Sequence, residues 1–155
     1  MGRVRQFTTA GSPRRPAELT PGELVWASIV NGIENPAAAG KARPVLLIEP
    51  SGWAWKTMGL TTRPCHRNGS PRVAIPNPRA VGLKNPGWLW SGTLCFTTGL
   101  DIGDHIGWAD TALVFEVASL AALPAPTIRE LLAAARAHHG TPAGAGLSVI
   151  EGGSA

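Results

Sequence analysis

Gly40-Lys41-Ala42-Arg43-Pro44-Val45-Leu46-Leu47-Ile48, followed shortly by Met58-Gly59-Leu60-Thr61-Thr62, decides how this chain folds. Residues 43–49 show almost no polar alternation, the pattern of a central strand buried on both faces. Residues 55–62 supply the next strand. Pro44 restricts the backbone around Arg43, so the guanidinium opens the first strand from a rigid base. Thr61 and Thr62 close the second strand. A cation and hydroxyls at one end of a small sheet suit a phosphate.

Outward from this pair the segments stay short, which favours strands. Residues 23–30 predict a strand with Leu24, Trp26 and Ser28 on one face and Val25, Ala27 and Ile29 on the other. Residues 31–40 carry Asn-Gly and Asn-Pro turn signals and read as a long loop. Residues 63–84 hold four prolines and read as a loop over the sheet, extended at 72–75. Residues 88–97 alternate, with Trp88, Trp90, Leu94 and Phe96 on one face. One helical turn is expected at 101–105, and Leu113-Val114-Phe115 favours a strand over 111–117. Pro126-Thr127 then opens an amphipathic helix. Ile128, Leu131, Leu132 and Ala135 form its apolar stripe, and Gly140 stops it after His138-His139, two cations suited to the helix dipole. The fold class is therefore mainly β, an α+β domain over residues 20–139: a small twisted sheet or partial barrel closed by a C-terminal amphipathic helix. Residues 1–19, with four arginines, read as a disordered basic arm. Residues 140–155 read as a flexible tail in which 147–150 suits an edge strand.

A length of 155 residues gives room for one core. Its apolar runs are too short to span a membrane, and no apolar run follows Arg3 and Arg5 as a secretory signal requires. The expected compartment is the cytoplasm. Cys65 and Cys95 stand at unrelated spacing and read as two ordinary thiols. The net charge of +4 conceals an asymmetry. Eight basic residues face one acid, Glu49, between Lys41 and Lys84, whereas six acids face Arg129 and Arg136 from Asp101 onward. A cationic middle suits a polyanion, because phosphate contacts dominate nucleic-acid affinity; a solvated basic face is the plainer account.

Together with Pro21-Gly22-Glu23-Leu24-Val25-Trp26 and Ile102-Gly103-Asp104-His105-Ile106-Gly107, the opening stretches resemble, in their order, the MazF/PemK family of bacterial toxins. The resemblance covers roughly residues 20–139. It implies an SH3-like barrel with a terminal helix, a homodimer, a cognate antitoxin, and metal-independent cleavage of single-stranded RNA. In that reaction the substrate's 2′-hydroxyl attacks the adjacent phosphorus and leaves a cyclic phosphate and a 5′-hydroxyl. By its place before Pro44, Arg43 matches the family's catalytic arginine; Thr61, in its Leu60-Thr61 context, matches the catalytic threonine.

Without the resemblance, Arg43 reads as a surface ion pair and Thr61 as a residue of strand propensity. With it, Arg43 supplies charge for the phosphoryl oxygens and Thr61 a hydrogen bond that aligns attack. Thr62, Glu34, His66 and His105 are further candidates for catalysis, Glu34 lying in a loop longer than usual before Arg43. Lys41, Lys56, Arg63, Arg67 and Arg72 are the expected RNA contacts. Trp53 and Trp55 flank a turn and suit base stacking, while Trp26, Trp88 and Trp90 suit the core or a dimer seam. No His or Cys spacing forms a metal motif, and no cofactor is expected. Two alternatives stay open: an inhibitor like the CcdB family, which has the same fold and binds DNA gyrase, and a relative that binds nucleic acid without cutting it.

Overall fold

A computed structural model describes residues 19–28, 42–98 and 102–140. Six strands and two helices lie among them. The strands are β1 (Glu23–Ser28), β2 (Ala42–Ser51), β3 (Ala54–Thr61), β4 (Trp88–Leu89), β5 (Cys95–Thr98) and β6 (Ile102–Trp108); the helices are α1 (Thr111–Ala121) and α2 (Ala125–His139). The sheet is antiparallel and open, in the order β4-β3-β2-β1-β6, with β5 sharing the outer edge of β3 with β4. This is the expected mainly-β α+β architecture with a helix at its C-terminal end. Glu34 and Lys41 lie outside the described residues, as do the readings for 1–18, 29–41 and 141–155. Leu19 is buried.

The β2–β3 pair is the spine. Val45, Leu46, Leu47 and Ile48 are almost fully buried, as a strand apolar on both faces must be. Alternation then divides the core in two. Leu24, Leu46, Met58 and Leu60 face the helices and pack with Leu113, Val117 and Leu131. Val25, Ala27, Val45, Leu47 and Trp55 form the cluster on the other face, with Trp90 packed against it. Helix α2 docks through the expected stripe: Leu131 and Ala135 are buried, and Ile128 and Leu132 pack against the same core. Its first turn is tied to the sheet by Thr127, whose hydroxyl donates to Glu49 Oε1 at 3.0 Å. Its end is tied to β6, where His138 stacks on Trp108 at 3.5 Å and His139 Nε2 lies 2.8 Å from the Trp108 carbonyl oxygen. These contacts hold the histidine pair more specifically than a helix dipole does.

Four sequence expectations fail. Residues 111–117 are helical and not a strand: Asp110 Oδ1 accepts from Leu113 N at 2.9 Å, and Leu113, Val114, Val117 and Ala118 bury one helical face. Residues 102–105 belong to β6 and not to a helical turn, because β1 offers a free edge that β6 pairs with, through two register shifts. The alternating stretch 88–97 is broken into β4 and β5, with Ser91 bonding Thr93 in the bend between them. Trp55 is 4% exposed, so it fills the core and offers no face to a base; Trp53, at 89%, does. Residues 72–75 are extended as expected, with Ala74 bridging Trp88, although Arg79–Val81 adds a 3-10 turn to the loop.

Candidate functional site

The β2–β3 register runs from Ser51↔Ala54 to Val45↔Gly59. Two residues beyond this last pair, Arg43 continues the face of Val45 and Thr61 that of Gly59 by alternation, while their main-chain partners are Ala27 and Trp88. Arg43 is half-buried. Its Cζ lies 4.2 Å from the centroid of the Trp90 ring, a cation–π contact that fixes the guanidinium over the indole. The main chain of Trp90 is held in turn, because its backbone N–H donates to Gly59 O at 2.8 Å.

Two more guanidinium groups stand close by. Arg43 is held below the ordinary proton affinity of an arginine, first by burial, then by the charges of Arg63 and then of Arg72. Among the described residues, the ion pairs are Lys56–Glu49 and His105–Glu23, so no described carboxylate pairs with this cluster. Arginine does not lose its proton at working pH, so an anion is what relieves the repulsion. Thr61 Oγ1 accepts from Arg63 N at 3.1 Å. A hydroxyl that accepts there still has its hydrogen to donate. The arrangement can therefore present the Arg43 and Arg63 cations and one hydroxyl to an oxyanion, in the field of Arg72.

The other candidates divide. Arg63 is exposed beside Thr61 and belongs to the cluster. Arg72 belongs to it too, but its guanidinium is spent on main-chain oxygens: Nε donates to Trp90 O at 2.9 Å, and Nη1 to Cys65 O at 2.6 Å and Arg63 O at 3.3 Å. His66 follows Cys65 in a tight turn, its N–H donating to Ser70 O at 2.8 Å, and Arg67 is exposed in the same turn. Thr62 is exposed. Lys56 lies elsewhere. Its Nζ is 3.3 Å from Glu49 Oε2 near the far end of the hairpin, about 20 Å from Arg43 at 3.3 Å per residue. His105 is also apart. It sits on β6, beyond β1 from β2, with Nδ1 2.7 Å from the fully buried Glu23 carboxylate. Buried Val25 and Ala27 lie on the strand between it and Arg43.

Sequence reasoning missed Trp90, the stacking platform of Arg43, and the Glu23–His105 pair. The alternation of 88–97 pointed Trp90 to the core. The position of Glu23 just ahead of an apolar strand was the one trace of the second pair, since the two residues lie 82 positions apart in sequence. No three His, Cys, Asp or Glu side chains cluster among the described residues. No helix among them is long and apolar enough to cross a membrane. The molecule so far is a small α+β protein with a guanidinium cluster at one end of its central hairpin. Comparison of the chain with models of protein families finds no match, and comparison with curated proteins finds none.

Proposed function

We propose that this chain is an endoribonuclease of the MazF/PemK type, a toxin that cuts single-stranded RNA without a metal and is held in check by a cognate antitoxin. The observation that carries the reading is the convergence of Arg43, Arg63 and Arg72 beside Thr61, with Arg43 fixed on Trp90. Such a cluster is costly without an anion and suits a phosphodiester whose charge grows during reaction.

The chemistry asks for four things. The 2′-oxygen forms a bond to phosphorus as the bond from phosphorus to the 5′-oxygen breaks, giving a 2′,3′-cyclic phosphate and a 5′-hydroxyl. Arg43 and Arg63 hold the charge on the non-bridging oxygens. The Thr61 hydroxyl donates to one of them and aligns the attack. One proton must leave the 2′-hydroxyl and one must reach the 5′-oxygen. His66 is the histidine nearest in sequence to the loop that Arg72 grips, which makes it the first candidate for this transfer. His105 is a weaker one, because buried residues lie between it and Arg43.

A homodimer and an acidic antitoxin segment that competes for the arginine cluster complete the reading. Light scattering tests the dimer: a monomer at micromolar concentration counts against it. Incubating the pure protein with a long single-stranded RNA in EDTA, then mapping the ends, tests the reaction. Cuts with 5′-hydroxyl ends are expected. Activity that vanishes in EDTA and returns with magnesium overturns the mechanism. RNA left intact while gyrase supercoiling stops favours the inhibitor reading, and RNA bound but intact favours the non-cleaving relative.

A further inference from the structure

Charge alone does not account for Arg72. An arginine has five N–H donors, and one kept only for its charge leaves them to water. Here Nε and Nη1 are committed to the carbonyls of Trp90, Cys65 and Arg63, and the Arg72 main-chain N–H donates to Pro64 O at 2.8 Å. These partners come from two separate stretches. Arg63 and Cys65 belong to the exit of β3, where Arg63 N–H also holds Thr61 Oγ1. Trp90 follows β4 and carries Arg43 on its ring. Among the described residues, Arg72 alone hydrogen-bonds the main chain of both Arg63 and Trp90. It is held there although its charge repels that of Arg43. The carbonyl oxygens it bonds hold it in place against that repulsion.

We infer that Arg72 is a positioning residue of the Arg43 site: it fixes the β3 exit bearing Thr61 against the Trp90 platform bearing Arg43. Main-chain pairing already joins β3 to this segment, through Trp90 N–H to Gly59 O and through Thr61 opposite Trp88. Arg72 adds a side-chain tie beyond the end of that pairing that need not touch the substrate. The inference rests on the reading of this site as one for a phosphodiester. Geometry of this kind is worth defending, because a misplacement of about 1 Å costs roughly a hundredfold in rate.

The test compares Arg72→Lys, which keeps the charge and loses the fork, with Arg72→Gln, which loses both. Each is assayed for cleavage of a long single-stranded RNA and for the NMR resonance of the Arg43 Nε–H, which the Trp90 ring current displaces. Both variants are expected to lower kcat by about a hundredfold, to leave KM little changed, and to return the Arg43 resonance toward its free position. Wild-type cleavage by Arg72→Lys with an unmoved resonance overturns the inference and makes Arg72 a plain charge contact. So does a fall in kcat with the resonance unmoved, which means direct contact with substrate. A moved resonance in a protein that never cleaves RNA keeps the positioning role and removes the cleavage reading. If Arg72→Gln does not fold, Arg72→Lys decides; loss of fold in both overturns the inference by making Arg72 a requirement of the fold itself.

Discussion

At the scale of single residues, Arg43 is under two opposed influences. The cation–π contact with Trp90 favours it by about 0.5–1 kcal/mol, and repulsion from Arg63 and Arg72 works against it. Arg43→Ala removes both, so the melting temperature is expected to move little, while RNA cleavage falls by about a hundredfold to a thousandfold. Inorganic phosphate offers a check that needs no RNA. At an ionic strength held constant with chloride, phosphate raises the melting temperature of the wild type, and Arg43→Ala cuts that rise. An equal rise in both places the anion elsewhere and sinks the site. Thr61 and Thr62 separate hydroxyl chemistry from strand propensity. Thr61→Val keeps the β-branched shape but loses both the acceptor for Arg63 N–H and the free donor. Its kcat should fall by roughly a hundredfold and Thr61→Ser should restore most of it, with Thr62→Val close to wild type. Equal kcat values for the two valine variants would mean that the hydroxyl takes no part.

At the scale of elements, α1 shows how a local signal lost to a stronger one. Val114, Phe115 and Val117 favour a strand by propensity, and Leu113-Val114-Phe115 reads as one. The Asp110 side chain, by accepting from Leu113 N, satisfies one orphan donor of a helix instead. Burial of Leu113, Val114, Val117 and Ala118 then follows the helical period. Asp110 Oδ2 also accepts from Asn77 Nδ2 at 3.1 Å, which ties the cap to the long loop. Asp110→Ala is therefore expected to cost about 1 kcal/mol, read as a melting temperature lower by roughly 2–4 °C. Asp110→Asn keeps an acceptor and should recover most of the loss; an unchanged melting temperature in Asp110→Ala would show that packing alone holds the helix. The β2–β3 hairpin and α2 were legible in the sequence because continuous apolarity and a 3.6-residue stripe leave few other solutions. The break between β4 and β5 was not, because it depends on which stretches of the β3 edge remain open. The site was half legible for the same reason. Arg43 and Thr61 were singled out by the family resemblance, and only their placing at one end of the hairpin follows from strand pattern. Trp90 and the fork of Arg72 are set by contacts 47 and 18 residues away along the chain.

At the scale of the whole molecule, the structure redistributes a charge excess that the sequence shows only as a count. The described cations of residues 42–84 do not all share one surface. Lys56 is drawn to Glu49 and the start of α2, at the end of the hairpin away from Arg43. Arg43, Arg63 and Arg72 gather at the other end. Single-stranded nucleic acid releases counterions in proportion to the phosphates neutralised, with log K falling by about 0.7 per contact for each unit of log salt. Arg43 and Arg63, the two that hold phosphate in this reading, then give a slope of about −1.4, far shallower than eight cations on one face would give. Arg63→Gln should reduce the slope by about 0.7, because Arg63 is exposed and its bond to Thr61 is made by its main chain. Lys56→Gln should leave both slope and affinity unchanged, since its charge is half screened by solvent and already answered by Glu49. Titration of a fluorescent single-stranded RNA across a salt series, in EDTA and with Thr61→Val to suppress cleavage, reads all three proteins on one scale. A slope that falls equally for Arg63→Gln and Lys56→Gln would mean that RNA runs along the whole hairpin. The two ends of β2 and β3 would then have to be treated as one continuous surface, and the arginine cluster would lose its claim to be the phosphate site.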